Sequence, residues 1–177
     1  MSFLSFLLQY LRKPRSVGAI MPSSPALVEA MLNPVDWSQA KVIVEFGPGT
    51  GVMTKGILAR MRPDATLIAY EINDEFLQQL TVIKDSRFTL KNKSAETLDV
   101  RAEVIISSLP LLAFSHVLRK SILRNAATKL HREGIYVQFQ YSSKLESVLK
   151  RFFPNIKRTW VAQNLPPAFV YACRKTP

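Results

Sequence analysis

Short apolar runs alternate with helical patterns along most of this chain. The run KVIVEF, which begins at Lys41, is apolar throughout and stops just before a cluster of glycines, as expected for a buried strand of a parallel sheet. Further strands are predicted over TLIAYE, RFTLK, EVIIS and GIYVQFQ. Helices are predicted between them over 51–61, 74–83 and 114–131, with Gly134 ending the last one. This alternation indicates an α/β fold with a doubly wound sheet.

The end of the chain departs from this alternation. A helix predicted over 144–152 is followed by two strands, KRTWVAQ and AFVYACR, which the tight turn NLPP joins. A link this short cannot cross over to a parallel neighbour, so the two strands must pair antiparallel. We therefore expect a single, mostly parallel seven-stranded sheet with an antiparallel edge strand in a domain covering residues 35–177. Residues 1–34 are expected to hold an amphipathic helix, an active-site loop and a short helix starting at Pro25.

The formal net charge of +11 over 177 residues is the compositional outlier. It indicates an anionic partner, which on charge alone is nucleic acid, an acidic lipid surface or a negatively charged small substrate. The lone Cys173 excludes an internal disulfide framework, and His116 and His131 are too far apart to suggest a metal site, so no metal is predicted. A reducing cytoplasm is the simplest compartment.

The segment EFGPGTG, residues 45–51, directly follows the first strand. Its glycines allow a ligand to approach the main chain at the carboxyl edge of the sheet, where such folds bind ligands. The spacing G-x-G-x-G differs from the dinucleotide fingerprint, and the carboxylate of Glu45 would repel a pyrophosphate but suits a cationic amino group. Glu71 ends the second strand, where a carboxylate accepts ribose hydroxyls. The alternatives are a tight turn without a ligand and a solvated strand end.

This segment resembles the first motif of the class I S-adenosylmethionine-dependent methyltransferases. The resemblance implies S-adenosylmethionine as cofactor, with Glu45 facing its methionyl amine and the glycines lying under the ligand. Members of this class usually carry an Asp before the Ala that follows the third strand. Ser94 occupies that place here, so the adenine contact stays open between Ser94–Ala95, Glu96 and backbone groups. The predicted cofactor-binding residues are Glu45, Gly47, Gly49, Thr50, Gly51, Glu71, Ile72, Ser94, Ala95 and Ser107.

The fourth strand is followed by SSLPLL, residues 107–112. Adenine-N6 methyltransferases carry an N-L-P-Y-like motif at this place, in which an amide and a backbone carbonyl hold the target amine and an aromatic ring stacks on the base. This chain has Ser108 for the amide and Leu111 for the ring. A flipped base needs an aromatic face, so nucleic acid is disfavoured as a partner.

Four segments, LRKPRSVGAIMPSSPAL, FGPGTG, SSLPLL and NLPPAFVYACRK, together resemble bacterial phospholipid N-methyltransferases, which are related to rRNA adenine dimethylases. The resemblance implies S-adenosylmethionine-dependent N-methylation of the phosphatidylethanolamine headgroup, stepwise towards phosphatidylcholine. Methylation of RNA adenine or of another amine is the alternative, and a non-enzymatic cofactor-binding or membrane-binding module is a third hypothesis.

The resemblance and the chemistry of the acceptor predict further site residues. An ethanolamine ammonium must lose a proton before it attacks, and burial favours this loss. Ser108 and the Leu109 carbonyl are candidate acceptors for the amine hydrogens, and Tyr141 is a polar wall or an ordinary packing residue. The predicted catalytic residues are Ser108, Leu109, Pro110 and Tyr141. The predicted substrate or membrane contacts are Lys13, Arg15, Gly18, Ala19, Ile20, Pro22 and Ser23, although Lys13 and Arg15 also fit a solvated face.

Residues 2–13 predict a short interfacial helix. Polar residues recur every three to four positions, and large apolar residues fill the broad remaining face. The basic residues come after the apolar stretch and no small-residue cleavage site follows, which does not fit a secretory signal. We expect a cytoplasmic protein bound peripherally to the inner face of an anionic membrane. The alternative is that this helix packs on its own domain or on a partner subunit.

Overall fold

A seven-stranded sheet runs through the centre of the computed structural model, which describes residues 23–175. The strand order is β3-β2-β1-β4-β5-β7-β6. β1 to β5 are parallel, whereas β7 is antiparallel to both of its neighbours. The strands are β1 (Val42–Phe46), β2 (Thr66–Glu71), β3 (Phe88–Asn92), β4 (Ala102–Ser107), β5 (Leu130–Gln140), β6 (Asn155–Val161) and β7 (Ala168–Arg174). The predicted fold class is confirmed, and β7 is the strand that runs against the others, between β5 and the edge strand β6.

Helices cover both faces of this sheet. The helices are α1 (Pro25–Leu32), α2 (Val52–Leu58), α3 (Asp74–Leu80), α4 (His116–Lys129) and α5 (Glu146–Leu149), with short 3-10 turns at Ala95–Thr97, Leu111–Ala113 and Ser143–Leu145. Side-chain caps fix where three of them begin: the oxygens of Ser24, Asn73 and Ser115 accept from backbone N–H groups of the first turn. As predicted, α1 starts at Pro25.

Gly134 does not end a helix, and that prediction is wrong. α4 ends at Lys129, and β5 already begins at Leu130. A Cβ atom on Gly134 would lie 2.7 Å from the backbone oxygen of Glu103. The glycine therefore permits a close approach of β5 to β4, next to the shift in register between Ala102 and Val104.

Further helix boundaries differ from the sequence prediction. α2 ends at Leu58, three residues before its predicted end. The third helix stops at Leu80, and the segment predicted as a helix over 144–152 consists of a 3-10 turn followed by the four residues of α5.

The alternation of side chains along the strands divides the core into two layers. On β5, Ile135, Val137 and Phe139 face the layer built with α1 and α2. Tyr136 faces the opposite layer, to which α4, α5 and Phe153 contribute. The last part of the predicted segment 1–34, which is α1, therefore packs against the sheet, and the division into 1–34 and 35–177 stays a prediction.

Several predicted residues lie outside the described part of the chain. They are the interfacial helix over 2–13 and the residues Lys13, Arg15, Gly18, Ala19, Ile20 and Pro22. Within residues 23–175, no helix is long and apolar enough to cross a membrane.

Candidate cofactor and acceptor site

The carboxyl ends of β1 to β4 bring the predicted site segments to one edge of the sheet. The glycine turn follows β1, Glu71 ends β2, Ser94–Ala95 follow β3, and the segment 107–111 begins at the end of β4. Because these strands are parallel and neighbouring, the segments share the edge at which open α/β sheets bind ligands.

The glycine turn needs its glycines. Gly47, Gly49 and Gly51 have φ angles of 66°, 55° and 79°, in the left-handed region that side chains with a Cβ rarely adopt. Apart from its chain neighbours, no atom of the described residues 23–175 lies within 4 Å of the position that a Cβ of Gly49 would occupy, whereas a Cβ on Gly47 would lie 2.7 Å from Leu109 Cδ2. The turn is thus open to a ligand at Gly49, whereas at Gly47 it is closed by residues 107–111, which we call the acceptor segment. Thr50, the other predicted contact, is exposed beside them.

Glu45 lies fully buried beneath the turn. Its Oε2 accepts a hydrogen bond from Thr54 Oγ1 at 2.8 Å. Among the residues described, 23–175, its Oε1 is a buried oxygen without a hydrogen-bond partner. The pKa of Glu45 is raised to about 8, mainly by burial; the hydrogen bond from Thr54 opposes this rise and the nearby charge of Glu71 adds to it. Thr54 was not predicted from the sequence, in which an isolated Thr on a helix carries no signal.

Glu71 organises the other side of the turn. Its Oε2 accepts from the N–H of Gly49 at 3.3 Å, and its Oε1 accepts from the N–H groups of Ile72 and Asn73, both at 2.9 Å. The side chain of Ile72 is 69% exposed directly beside it. The exposed side chain of Ile72 offers an apolar surface to a flat ring. The carboxylate of Glu71 offers acceptors to hydroxyl groups.

Ser94 and Ala95 form the start of a 3-10 turn after β3. The Ser94 hydroxyl accepts from the N–H of Glu96 at 3.4 Å and so acts as a cap, while Ala95 is buried. The side chain of Asn125 in α4 holds the same turn by donating to the carbonyl oxygen of Glu96 at 2.8 Å. The adenine contact of Ser94 and Ala95 stays a prediction.

The acceptor segment 107–111 is anchored to the end of β1. The N–H of Ser108 donates to the Phe46 carbonyl at 2.9 Å, and the Ser107 side chain is fully buried. Pro110 has φ −77° and ψ 67°, the conformation at the centre of an inverse γ-turn. The N–H of Leu111 accordingly donates to the Leu109 carbonyl at 2.9 Å. Ser108 is partly buried, at the start of this turn.

The Leu109 carbonyl has no capacity left for a substrate amine. Besides the N–H of Leu111, it accepts from Gln138 Nε2 at 3.0 Å and from Gln140 Nε2 at 2.9 Å. A carbonyl oxygen has two lone pairs, and three donors already share them. These donors already engage the Leu109 carbonyl, which favours Ser108 as the acceptor for the amine, and the roles of both residues stay predictions.

Sequence reasoning missed Gln138 and Gln140. Both are buried, and both lie on the strand GIYVQFQ. The signal in the sequence is the recurrence of two amides at a spacing of two in a strand that is otherwise apolar. Polar residues on one face of a buried strand must find partners inside the protein, which points to a specific contact.

Tyr141 packs against the core layer that is built with α1 and α2. It packs at an angle of 77° on Phe139, with ring centroids 5.5 Å apart. Burial raises the pKa of Tyr141, while a hydrogen bond with the Asn164 side chain lowers it. Asn164 Oδ1 in turn accepts from the N–H of Ser24, next to the predicted substrate residue Ser23. Asn164 thus links Tyr141 to the start of α1, while the catalytic role of Tyr141 and the substrate contact of Ser23 stay predictions.

These residues fit S-adenosylmethionine. The unpartnered Oε1 of Glu45 matches a cationic amine, the open space at Gly49 admits a ligand against the main chain, and Glu71 beside Ile72 matches a ribose and its base. When bound, this cofactor supplies an activated methyl group on a sulfonium. Within residues 23–175, no group of His, Cys, Asp and Glu is arranged to hold a metal ion.

Comparisons with known proteins agree with this geometry. The ornithine lipid N-methyltransferase of Singulisphaera acidiphila is 27% identical over 183 residues, which covers 97% of this chain and 95% of that protein. The N-methyltransferase NodS from Bradyrhizobium japonicum WM9, solved in complex with S-adenosyl-L-homocysteine, superimposes with a TM-score of 0.76 at 10% identity. That match covers 96% of this chain and 98% of NodS. The chain has the class I methyltransferase fold.

Other comparisons are narrower. A 16S rRNA N2 G1207 methyltransferase from T. thermophilus, in complex with AdoMet and guanosine, superimposes on this methyltransferase fold with a TM-score of 0.67 at 18% identity, covering 91% of this chain but 45% of that protein. No family model matches the chain. The full-length similarity to an N-methyltransferase agrees with the predicted class of enzyme, an S-adenosylmethionine-dependent N-methyltransferase, and with the predicted cofactor.

Proposed function

We propose that this chain transfers methyl groups from S-adenosylmethionine to the amine of a membrane lipid headgroup, with phosphatidylethanolamine as the expected substrate. The acceptor segment carries the proposal. The side chain of Leu109 lies directly against the glycine turn at Gly47, which supports a place for the neighbouring Ser108 close to the proposed cofactor site. Leu111, at the place of a stacking ring, is aliphatic and buried, which suits a small headgroup amine better than a nucleobase.

The chain's own residues have two tasks in this reaction. The first is alignment, because an activated methyl group needs mainly a nucleophile held in line with the bond that breaks. The hydroxyl oxygen of Ser108 accepts a hydrogen bond from the amine. This bond directs the lone pair of the amine nitrogen at the methyl group. The second task is to favour the neutral amine, which a partly buried site does by penalising the ammonium form.

The same edge of the sheet has features that suit a lipid surface. Trp160, at the end of β6, is 54% exposed, and Leu165, between β6 and β7, is 70% exposed. Arg158 stacks on Phe169 beside them. Amphipathic aromatic and basic side chains are favoured at membrane interfaces. Together with the net charge of +11 and the interfacial helix expected over 2–13, they support peripheral binding to the anionic inner face of a membrane.

Purified protein with S-adenosylmethionine and vesicles tests the proposal. The vesicles contain an anionic lipid and either phosphatidylethanolamine or an ornithine lipid, because the full-length relative is an ornithine lipid N-methyltransferase. We expect methylated phosphatidylethanolamine by mass spectrometry. Product from the ornithine lipid alone would correct the headgroup, and no methylated lipid from either vesicle would refute the proposal.

Ser108→Ala tests the acceptor role in the same assay. We expect turnover to fall at least tenfold, as for the loss of a positioning hydrogen bond worth about 1.5 kcal/mol or more in the transition state. The affinity for S-adenosylhomocysteine should stay unchanged. Ser86→Ala is the matched control, since Ser86 is exposed in the turn before β3, at the opposite edge of the sheet. Equal turnover of the two variants would remove Ser108 from the site.

RNA methylation is the competing function. The small subunit rRNA methyltransferase H of Cupriavidus necator is 29% identical over 93 residues, which is 47% of this chain and 28% of that protein. Methylated base in treated RNA, with binding that weakens as salt rises, would favour this function over the lipid proposal.

A further inference from the structure

A row of polar side chains lies inside the protein along one face of β5. Tyr136, Gln138 and Gln140 alternate with apolar residues of the strand, and they are 0%, 0% and 5% exposed. The Tyr136 hydroxyl donates to Gln138 Oε1 at 2.7 Å. Both amides then donate to the Leu109 carbonyl in the acceptor segment, at 3.0 Å and 2.9 Å.

The orientation of the Gln138 amide follows from its partners. Its Nε2 donates to the Phe139 carbonyl at 2.7 Å as well as to the Leu109 carbonyl. The opposite orientation would place Oε1 against two carbonyl oxygens, so only one arrangement satisfies the group. A buried amide with both N–H groups engaged is costly to disturb, and it therefore holds Leu109 in one place.

Leu109 connects this row to the cofactor turn. Its carbonyl is tied to β5, while its side chain fills the space beside Gly47 so closely that a Cβ there would lie 2.7 Å from Cδ2. A shift of the Leu109 main chain would move Ser108, its neighbour in the chain, relative to the bound methyl donor.

We propose that Gln138 and Gln140 are positioning residues for methyl transfer, which fix the distance between Ser108 and the cofactor turn by holding the Leu109 carbonyl. This inference rests on the proposed function. Displacing a reacting group by about 1 Å is enough to slow a reaction about a hundredfold. The two glutamines touch neither the glycine turn nor Glu71 in any hydrogen bond of the structure, so cofactor affinity should not depend on them.

Gln140→Leu separates positioning from folding. We expect kcat on lipid vesicles to fall by about ten- to a hundredfold, while the Kd for S-adenosylhomocysteine changes less than about threefold. Gln39→Leu is the matched control, because Gln39 is exposed in the loop before β1, at the far edge of the sheet. A kcat within about twofold of the wild type would overturn the inference, and so would equal losses in kcat and cofactor affinity.

Gln140→Glu adds a signature that a general structural defect does not give. An ionised carboxylate accepts but does not donate, so it repels the Leu109 carbonyl, whereas a protonated carboxyl donates one hydrogen bond. We expect the turnover of this variant relative to the wild type to rise as the pH falls. A ratio that is independent of pH would contradict the inference.

The two proposals can fail separately. If the wild-type protein methylates no lipid amine, the lipid proposal fails, and hydrogen exchange still tests the positioning role. In the complex with S-adenosylhomocysteine, Gln140→Leu should accelerate exchange of the Leu111 N–H, which donates to the same carbonyl. Unchanged exchange would show that the glutamines do not hold the segment.

Discussion

Gly49 and Gly51 lie in the same turn but differ in the space that an added side chain would meet. In the part of the chain that the structure describes, only the adjoining residues come within 4 Å of where a Cβ of Gly49 would lie, whereas a Cβ on Gly51 would lie 3.0 Å from Leu80 Cδ2. Both residues have positive φ, so an alanine at either position costs about 1 kcal/mol of backbone strain.

Gly49→Ala should therefore weaken cofactor binding more than it weakens the fold. We expect a loss of about 1 kcal/mol in the free energy of unfolding by urea and at least a tenfold loss in affinity for S-adenosylhomocysteine, since the added methyl enters the ligand's space. Gly51→Ala is the control, with the larger loss in stability. Unchanged affinity in Gly49→Ala would mean that the ligand does not lie over the turn.

The buried carboxyl of Glu45 makes cofactor binding depend on pH. Its pKa in the free protein is about 8, mainly through burial, so it is largely protonated at neutral pH. The folded state therefore holds one more proton than the unfolded state between pH 4.5 and about 8, and stability from this group is lost as the pH rises through that window. A cationic ligand amine reverses the preference by favouring the ionised form.

We expect the affinity for S-adenosylhomocysteine to rise from about pH 6 to about pH 8, by up to about tenfold per pH unit, with release of a proton. Calorimetry in buffers of different ionisation enthalpy measures both quantities. In Glu45→Gln the slope and the proton release should disappear. Proton release that persists in this variant would assign the titration to another group.

Among the elements, the strands were easier to predict than the helix ends. The runs TLIAYE and AFVYACR correspond residue for residue to β2 and β7, because the apolar residues in the middle of each run are largely buried in the sheet. The end of α4 was misplaced because Gly134 suggests a helix stop, whereas the close approach of two strands requires it. Gln138 and Gln140 were missed because their partner, a carbonyl in another loop, becomes visible only in three dimensions.

The first turn of α4, which follows the acceptor segment, is capped by the side chain of Ser115. Ser115 Oγ accepts from the N–H of Leu118 at 3.2 Å. Ser115→Ala should cost about 1 kcal/mol in the free energy of unfolding, measured by urea denaturation. The exposed Ser121 within the same helix is the matched control, because alanine is the better helix former there and Ser121→Ala should be neutral or slightly stabilising. Equal effects would show that the hydroxyl does not cap the helix.

The net charge and the exposed apolar side chains of the protein both predict adsorption to anionic membranes. A net charge of +11 favours adsorption to anionic vesicles, and this attraction is screened by salt. Sedimentation with phosphatidylglycerol vesicles should therefore decrease as sodium chloride rises, and neutral vesicles should bind less. Equal binding to neutral vesicles at every salt concentration would contradict an electrostatic contribution.

The position of Trp160 allows the orientation to be tested in the same experiment. If the carboxyl edge of the sheet faces the bilayer, Trp160→Ser should weaken vesicle binding severalfold through the lost apolar contact. Val82→Ser is the matched control, because Val82 is 71% exposed after α3. Equal losses in the two variants would argue against this orientation.

Calorimetry with S-adenosylhomocysteine on the wild type, Glu71→Ala and Glu133→Ala tests whether the carboxyl edge of β1 and β2 binds a sulfur nucleoside. The wild type should bind, and Glu71→Ala should lose at least about tenfold in affinity because hydrogen bonds to a charged group contribute about 1.5–3 kcal/mol each. Glu133→Ala, on an exposed residue of β5, should match the wild type. No heat of binding in the wild type, or equal affinity in all three proteins, would contradict cofactor binding at this edge of the sheet.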